Sequence, residues 1–222
     1  MSSERRTTPG GQSRIQMADA GQMTDKQQAV YKKIIAGKRG KVVGPLRVVL
    51  HSPELADRWQ HLGEFLRFDS ALPAQISELA IIATGRYWNC QLEWFIHSGI
   101  AAEVGLAADI IESVRKAQAP GIDDPLQEAV YEFTRELLEY GDVSDRVYEA
   151  LAGSFDAAAL VELTAVIGYY SLVAMTLNTH RVPLPESGKG SLLDLPEGGH
   201  MLKPTSLPPV REKTDRKSGA SA

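Results

Sequence analysis

Apolar residues recur three and four positions apart through the middle of the chain, and no stretch shows sustained period-two alternation between hairpin turns. The pattern predicts an all-α protein of about seven helices. Thr24 and Gln27 fit a capping box that opens a helix ending near Gly37. Ser52, Pro53 and Glu54 place a cap, a first-turn proline and an acid before Leu55, Trp59, Leu62 and Leu66. Pro73 opens the next helix, with Ile76, Leu79, Ala80 and Ala83 on one stripe, and Gly105 stops the one after it. Further helices are expected over Ala107 to Gln118, from Asp124-Pro125 to about Tyr140, from Asp145 to Ala152 behind Ser144, and beyond Asp156. Val42-Val43 and Val48-Val49-Leu50 are too short to change the class.

The ends have a different texture. Residues 1–23 are rich in Ser, Gly, Thr, Arg and Gln and predict a disordered tail. From residue 185 to 222 Gly, Ser, Pro and Lys recur, which predicts a flexible C-terminal tail whose last stretch does not pack. Residues 24–184 are left as the helical domain. The segment from Ala157 to Leu177 is long and apolar enough to span a bilayer. It carries Glu162, Thr164, Gly168 and two tyrosines without a basic flank on its N-terminal side, so it reads as a central helix in a core or between subunits.

Composition narrows the partners. With 24 basic and 28 acidic residues the chain has a net charge of −4, which argues against nucleic acid and gives no attraction to anionic membranes. The N-terminus has two arginines but no apolar stretch behind them, so no secretory signal is expected and the cytoplasm is the expected location. Cys90 is the single cysteine, which excludes an intramolecular disulfide and a multi-cysteine metal site. His51, His61, His180 and His200 show no ligand spacing, so no metal and no cofactor is expected.

Candidate chemistry is concentrated between Ser77 and His97, where acids, an arginine, a thiol and an imidazole sit among apolar residues. A helix would put Cys90, Glu93 and His97 on one face, with Glu93 and His97 one turn apart and able to pair. Cys90 and His97 are two turns apart, roughly 10 Å of rise, and cannot touch within one helix. His97 is the candidate general acid/base, Glu78 its orienting group, and Glu93 a proton shuttle or a second partner of His97. Cys90 is a candidate reactive thiol and Arg86 a candidate clamp for a substrate carboxylate. Each has a plainer alternative: a core histidine tied to Glu93, a first-turn acid, an i,i+4 pair, a small buried hydrophobe, and a subunit salt bridge.

The order Glu78, Cys90 twelve positions on and His97 seven further resembles the motif of the carboxymuconolactone decarboxylase family, within the alkylhydroperoxidase D-like superfamily. Leu50 to Ala56, Glu78-Leu79-Ala80-Ile81, Glu93-Trp94 and Gly168-Tyr169-Tyr170 with Asn178 and Val182 to Pro185 extend the likeness over about residues 45–185. The resemblance implies an all-helical fold, a homo-oligomer (trimer or hexamer), and a break near Asn89 that folds two helices into a hairpin carrying the motif. Glu78 lies eleven residues before Asn89 and His97 eight after it, so such a hairpin would let them approach within about one turn. Asn89 would serve as the N-cap, and Cys90 would lie at a helix N-terminus, where the dipole favours a thiolate.

The peroxidase branch carries two cysteines three apart, whereas the second position here is Glu93 and the residue before it is Leu92. A dithiol cycle is therefore excluded. Glu93-Trp94 with His97 looks more like the decarboxylase branch, lyases that act on a lactone diacid from aromatic-ring breakdown. The expected function is thus cofactor-free decarboxylation or a proton shift on a small carboxylated or lactone substrate. The alternatives are a one-cysteine peroxidase using Cys90, or a non-catalytic helical oligomer whose Glu78, Glu93 and His97 are consumed in a sealed interface.

Overall fold

The computed structural model describes residues 13–185, 191–196 and 201–212. Among them are nine α-helices and no strand: α1 Asp25–Ala36, α2 Pro45–Val49, α3 Pro53–Phe68, α4 Ala74–Tyr87, α5 Gln91–Glu103, α6 Ala108–Arg115, α7 Pro125–Tyr140, α8 Asp145–Ala152 and α9 Ala157–His180. Of the caps expected from the sequence, Ser52 and Ser144 stand at the N-cap positions of α3 and α8 without a side-chain capping bond, while three others act as such. Thr24 and Gln27 bond reciprocally, Asp124 accepts from Leu126 and Gln127 N–H, and Asp156 accepts from Ala159 N–H. Gly141 ends α7 at φ 72°, the left-handed turn that glycine adopts without strain. The apolar pattern missed α2. Pro45 starts it, and Leu46, Val48 and Val49 are all buried, so the β-branched pair is held by packing rather than propensity.

α4 is the central element, covered by α5, α7 and α9, and every residue from Ile76 to Arg86 is buried. Its continuous burial explains why Ser77, Glu78, Thr84 and Arg86 need specific partners. By length and composition α9 is long enough to cross a membrane, and half of its apolar window is buried inside this chain. It packs on α2, α3, α4, α5 and α8 through residues such as Leu163, Ile167, Tyr170 and Leu177.

The terminal segments depart from the expectation of tails that do not pack, where they are described. Arg14 N–H donates to the His180 carbonyl at 3.0 Å and Ala18 N–H to that of Arg47 at 3.2 Å. Leu193 and Leu207 are buried. Thr205 N–H donates to the Tyr87 carbonyl at 2.8 Å, Tyr131 Oη to the Pro208 carbonyl at 2.8 Å, and Val210 N–H to Glu132 Oε1 at 2.6 Å. An extended, proline-containing segment is held here because side chains of α7 and the Tyr87 carbonyl at the end of α4 satisfy its backbone, contacts that composition does not encode. The remainder of the two expected tails (1–12, 186–190, 197–200 and 213–222) lies outside the described residues.

Candidate active site

The hairpin between α4 and α5 positions the chemistry. Asn89 adopts φ 53°, Cys90 N–H donates to the Gly85 carbonyl at 2.9 Å, and Asn89 N–H donates to that of Arg86 at 3.1 Å. This is a Schellman ending of α4 with asparagine in the left-handed position. The expected break is present, but Asn89 closes α4 rather than capping α5; Cys90 is the N-cap. The Asn89 side chain accepts from Arg86 Nη1 and Thr205 Oγ1 and donates to the Lys203 carbonyl.

This turn brings Glu78 of α4 against His97 of α5, with His97 Nδ1 and Glu78 Oε2 2.8 Å apart and both side chains buried. A carboxylate at Glu78 can only accept, and that arrangement would put the hydrogen on Nδ1 and leave Nε2, which has no hydrogen-bond partner among the described residues, to exchange a proton. Edge contact with Tyr170, with ring centroids 4.9 Å apart, fixes the imidazole from the α9 side. Tyr170 in turn meets Tyr169, and Tyr169 meets Trp59.

Glu93 is not paired with His97 as the i,i+4 spacing suggested. Both of its carboxyl oxygens are buried without a hydrogen-bond partner, and the residue is 2% exposed. Burial, with the Glu78 charge nearby, pushes its carboxyl well above the usual carboxylate range, which favours the protonated acid. Gly85 makes room for it: a Cβ there would come within 3.3 Å of Glu93 Oε1. Glu93 and His97 line a cavity of about 60 Å³ together with Arg39, Arg67, Tyr169 and Tyr170, while Glu78 lies behind His97 rather than on the wall.

Cys90 lines a different cavity. This larger space, about 280 Å³, is bounded also by Trp88, Asn178, Arg181 and Leu195, and of the acid/base groups none reaches it. The thiol is 1% exposed, and burial, with Glu93 adding to it, pushes it well above its usual value despite the backbone N–H groups of α5. The expected thiolate at a helix N-terminus is therefore not favoured, because desolvation outweighs the dipole. Arg86 lines neither cavity. Its burial lowers its proton affinity, its Nη1 is bound to Asn89, and its Nε has no partner. The structure thus gathers Glu78, Glu93 and His97, and separates Cys90 and Arg86 from them. Arg39, Arg67 and the Tyr169 hydroxyl were not legible as site groups: Arg39 lies in a loop after α1, and nothing in its neighbourhood in sequence points to α5.

No protein-family model matches the chain, and no curated protein matches it. Solved structures do. An uncharacterized peroxidase-related protein from Ralstonia eutropha JMP134, described as an alkylhydroperoxidase AhpD core, superposes with a TM-score of 0.64 at 16% identity over 78% of this chain and 93% of its own. A peroxidase-related protein from Silicibacter sp. TM1040 gives 0.64 at 14% identity over 82% and 96%. The debrominase Bmp8, as a variant in complex with 2,3,4-tribromopyrrole, gives 0.63 at 11% identity over 79% and 95%. At these identities the likeness speaks to architecture alone, and the chain has the all-helical fold of the alkylhydroperoxidase D-like, carboxymuconolactone decarboxylase-type proteins.

Proposed function

We propose that this protein is a cofactor-free enzyme acting on a small carboxylated or lactone substrate, with His97 as its general acid/base. The supporting observation is a buried, unpartnered Glu93 carboxyl beside a Glu78-bound imidazole on the wall of one cavity. In a decarboxylation the bond to the carboxylate carbon breaks, carbon dioxide leaves, and the electron pair passes into an adjacent unsaturated group. A neutral acid in a dry site is a strong donor to the oxygen on which that charge develops, and the Glu93 O–H supplies one. His97 Nε2 then delivers a proton to the carbon, Glu78 stabilises the imidazolium that precedes delivery, and water restores the proton. A proton shift within a lactone uses the same groups without loss of carbon dioxide.

The test is release of carbon dioxide from a panel of carboxylated lactones. The wild type should release it, and His97→Ala should slow it by about 10²–10⁴-fold, the usual contribution of a positioned acid/base. Equal rates in the two proteins, or no release from any lactone by the wild type, reject the reading. The same reading keeps a homo-oligomer, for which the exposed Leu62 and Phe65 of α3 and Val161, Leu172 and Met175 of α9 are apolar faces to bury.

A one-cysteine thiol peroxidase is the second reading. It is favoured by the fold shared with peroxidase-related proteins and by Cys90 on the wall of the larger cavity. The thiolate would attack peroxide, releasing water and leaving a sulfenic acid for an external thiol to reduce. Burial of the thiol weighs against it, and peroxide consumption at an unchanged rate in Cys90→Ser would end it.

A further inference from the structure

We infer that Arg39, seated over Gly63 and assisted by Arg67, anchors an anionic group of the ligand at the mouth of the Glu93–His97 cavity. The inference rests on the acid/base reading for what happens deeper in the cavity, but its own observations are separate. Among the described residues Arg39 and Arg67 are the only guanidinium groups on that wall, and Arg39 Nε–H is buried without a partner. A buried donor left unsatisfied on the same cavity wall as the orphaned carboxyl of Glu93 points to a polar ligand there.

Gly63 explains how Arg39 reaches this place. A Cβ on Gly63 would lie 2.0 Å from Tyr169 Oη and 2.4 Å from Arg39 Nη2, so the guanidinium and the hydroxyl occupy the space that any other residue would fill. Within the buried α3 stripe, only glycine leaves that gap. Tyr169 also packs its ring edge against Trp59, with centroids 5.8 Å apart, which holds the hydroxyl where Arg39 meets it. Arg67 is exposed, with its guanidinium 5.4 Å from the Phe68 ring centroid, and adds charge at the rim. The wall therefore grades from an exposed cation at Arg67, through a half-buried one at Arg39, to the buried Glu93 carboxyl and His97 imidazole.

The polarity also says which group is anchored. An arginine holding a carboxylate that is about to leave would stabilise the ground state more than a transition state in which that charge is dispersing. The group at Arg39 is one that keeps its charge through the reaction. The cavity, about 60 Å³, takes the reacting end of a ligand, and the anchored anion remains at the mouth. Removing the anchor should raise KM with little change in kcat, the signature of binding equal in ground and transition states.

The full-length protein is titrated by calorimetry with propionate and with its uncharged isostere propionamide. Propionate should bind, propionamide at least about tenfold more weakly, and Arg39→Met should bring propionate down to the propionamide level, as loss of a charge-assisted bond implies. Gly63→Ala, whose Cβ would displace both the guanidinium and the Tyr169 ring, should do the same, and thermal unfolding checks that both variants are folded. Equal propionate affinity in wild type and folded Arg39→Met overturns the inference, as does absence of propionate binding to the wild type. Arg39-dependent propionate binding without carbon dioxide release from any lactone would reject the proposed reaction and leave the anion site standing. Release with KM unchanged in Arg39→Met would remove the anchor and leave the reaction.

Discussion

Replacing Glu93 by Gln isolates the feature on which the site is built, a carboxyl kept neutral by its surroundings. Below about pH 4.3, the ordinary value for glutamate, the side chain is protonated in both folded and unfolded chains, and its ionisation contributes nothing to stability. As pH rises past that point the unfolded chain releases the proton while the folded chain, with its carboxyl pushed up by burial and by Glu78, retains it. The unfolded state is then favoured increasingly until pH passes the folded value, above which the loss levels off. Over the window in which only the folded chain holds the proton, the slope is about 1.4 kcal/mol per pH unit. Glutamine has nearly the same shape as the neutral acid and does not ionise. The stability difference between E93Q and wild type should accordingly grow in favour of E93Q by about that amount for each unit above the ordinary carboxylate range. With a urea slope near ~3 kcal/mol per molar, the midpoint gap widens by about 0.5 M per pH unit. Urea unfolding of both proteins from pH 4 to 8 measures it, and parallel midpoint profiles would refute the uncharged Glu93.

Asn89→Ala should cost about 2–4 kcal/mol in urea unfolding, because it places a Cβ residue with no compensating bonds at φ 53° and strips the buried Arg86 of its partner. Asn89→Gly should recover only the backbone part; stability within about 0.5 kcal/mol of wild type in both variants would dissociate the turn from folding. Cys90 should resist labelling by a thiol-disulfide reagent at pH 8 in the folded protein, since burial both shields it and disfavours its thiolate, and it should react at once when urea unfolds the chain. Complete labelling of native protein within the mixing time would contradict that placement.

Legibility in the sequence followed the range of the interaction. Local devices were readable: the Thr24–Gln27 box and the Asp124 and Asp156 caps all act within one turn of themselves. The approach of Glu78 to His97 was readable from register once a hairpin was posited, since a count of residues either side of Asn89 is enough. What a helical wheel could not supply was competition between partners. Glu93 stands one turn from His97, yet Nδ1 is taken by Glu78 from the neighbouring helix, and the nearer acid is left without a partner. Arg39, Gly63 and Tyr169 meet across three elements, and a glycine inside α3 carried no sign of what fills its missing side chain. The segment from Thr205 to Val210 looked unpackable because its bonds go to Tyr87, Tyr131 and Glu132, far away in sequence.

The turn at Asn89 ties these threads together. A helix advances by about 100° per residue, so shifting the α4–α5 register by one position would rotate His97 away from Glu78 and turn Glu93 out of the space beside Gly85. The register is set by a left-handed asparagine whose side chain is held by Arg86, Thr205 and the Lys203 carbonyl, all on the far side from the small cavity. Arg86 thus acts on the geometry of the pair rather than on a ligand, and the packed C-terminal segment becomes part of the same clamp. The cost of burying Glu93 without a partner is borne because α4 and α5 are locked at both ends of their contact, by the Asn89 turn and by the Glu78–His97 bond. A looser hairpin would let Glu93 find water, ionise and lose the one property that distinguishes it from an ordinary surface acid.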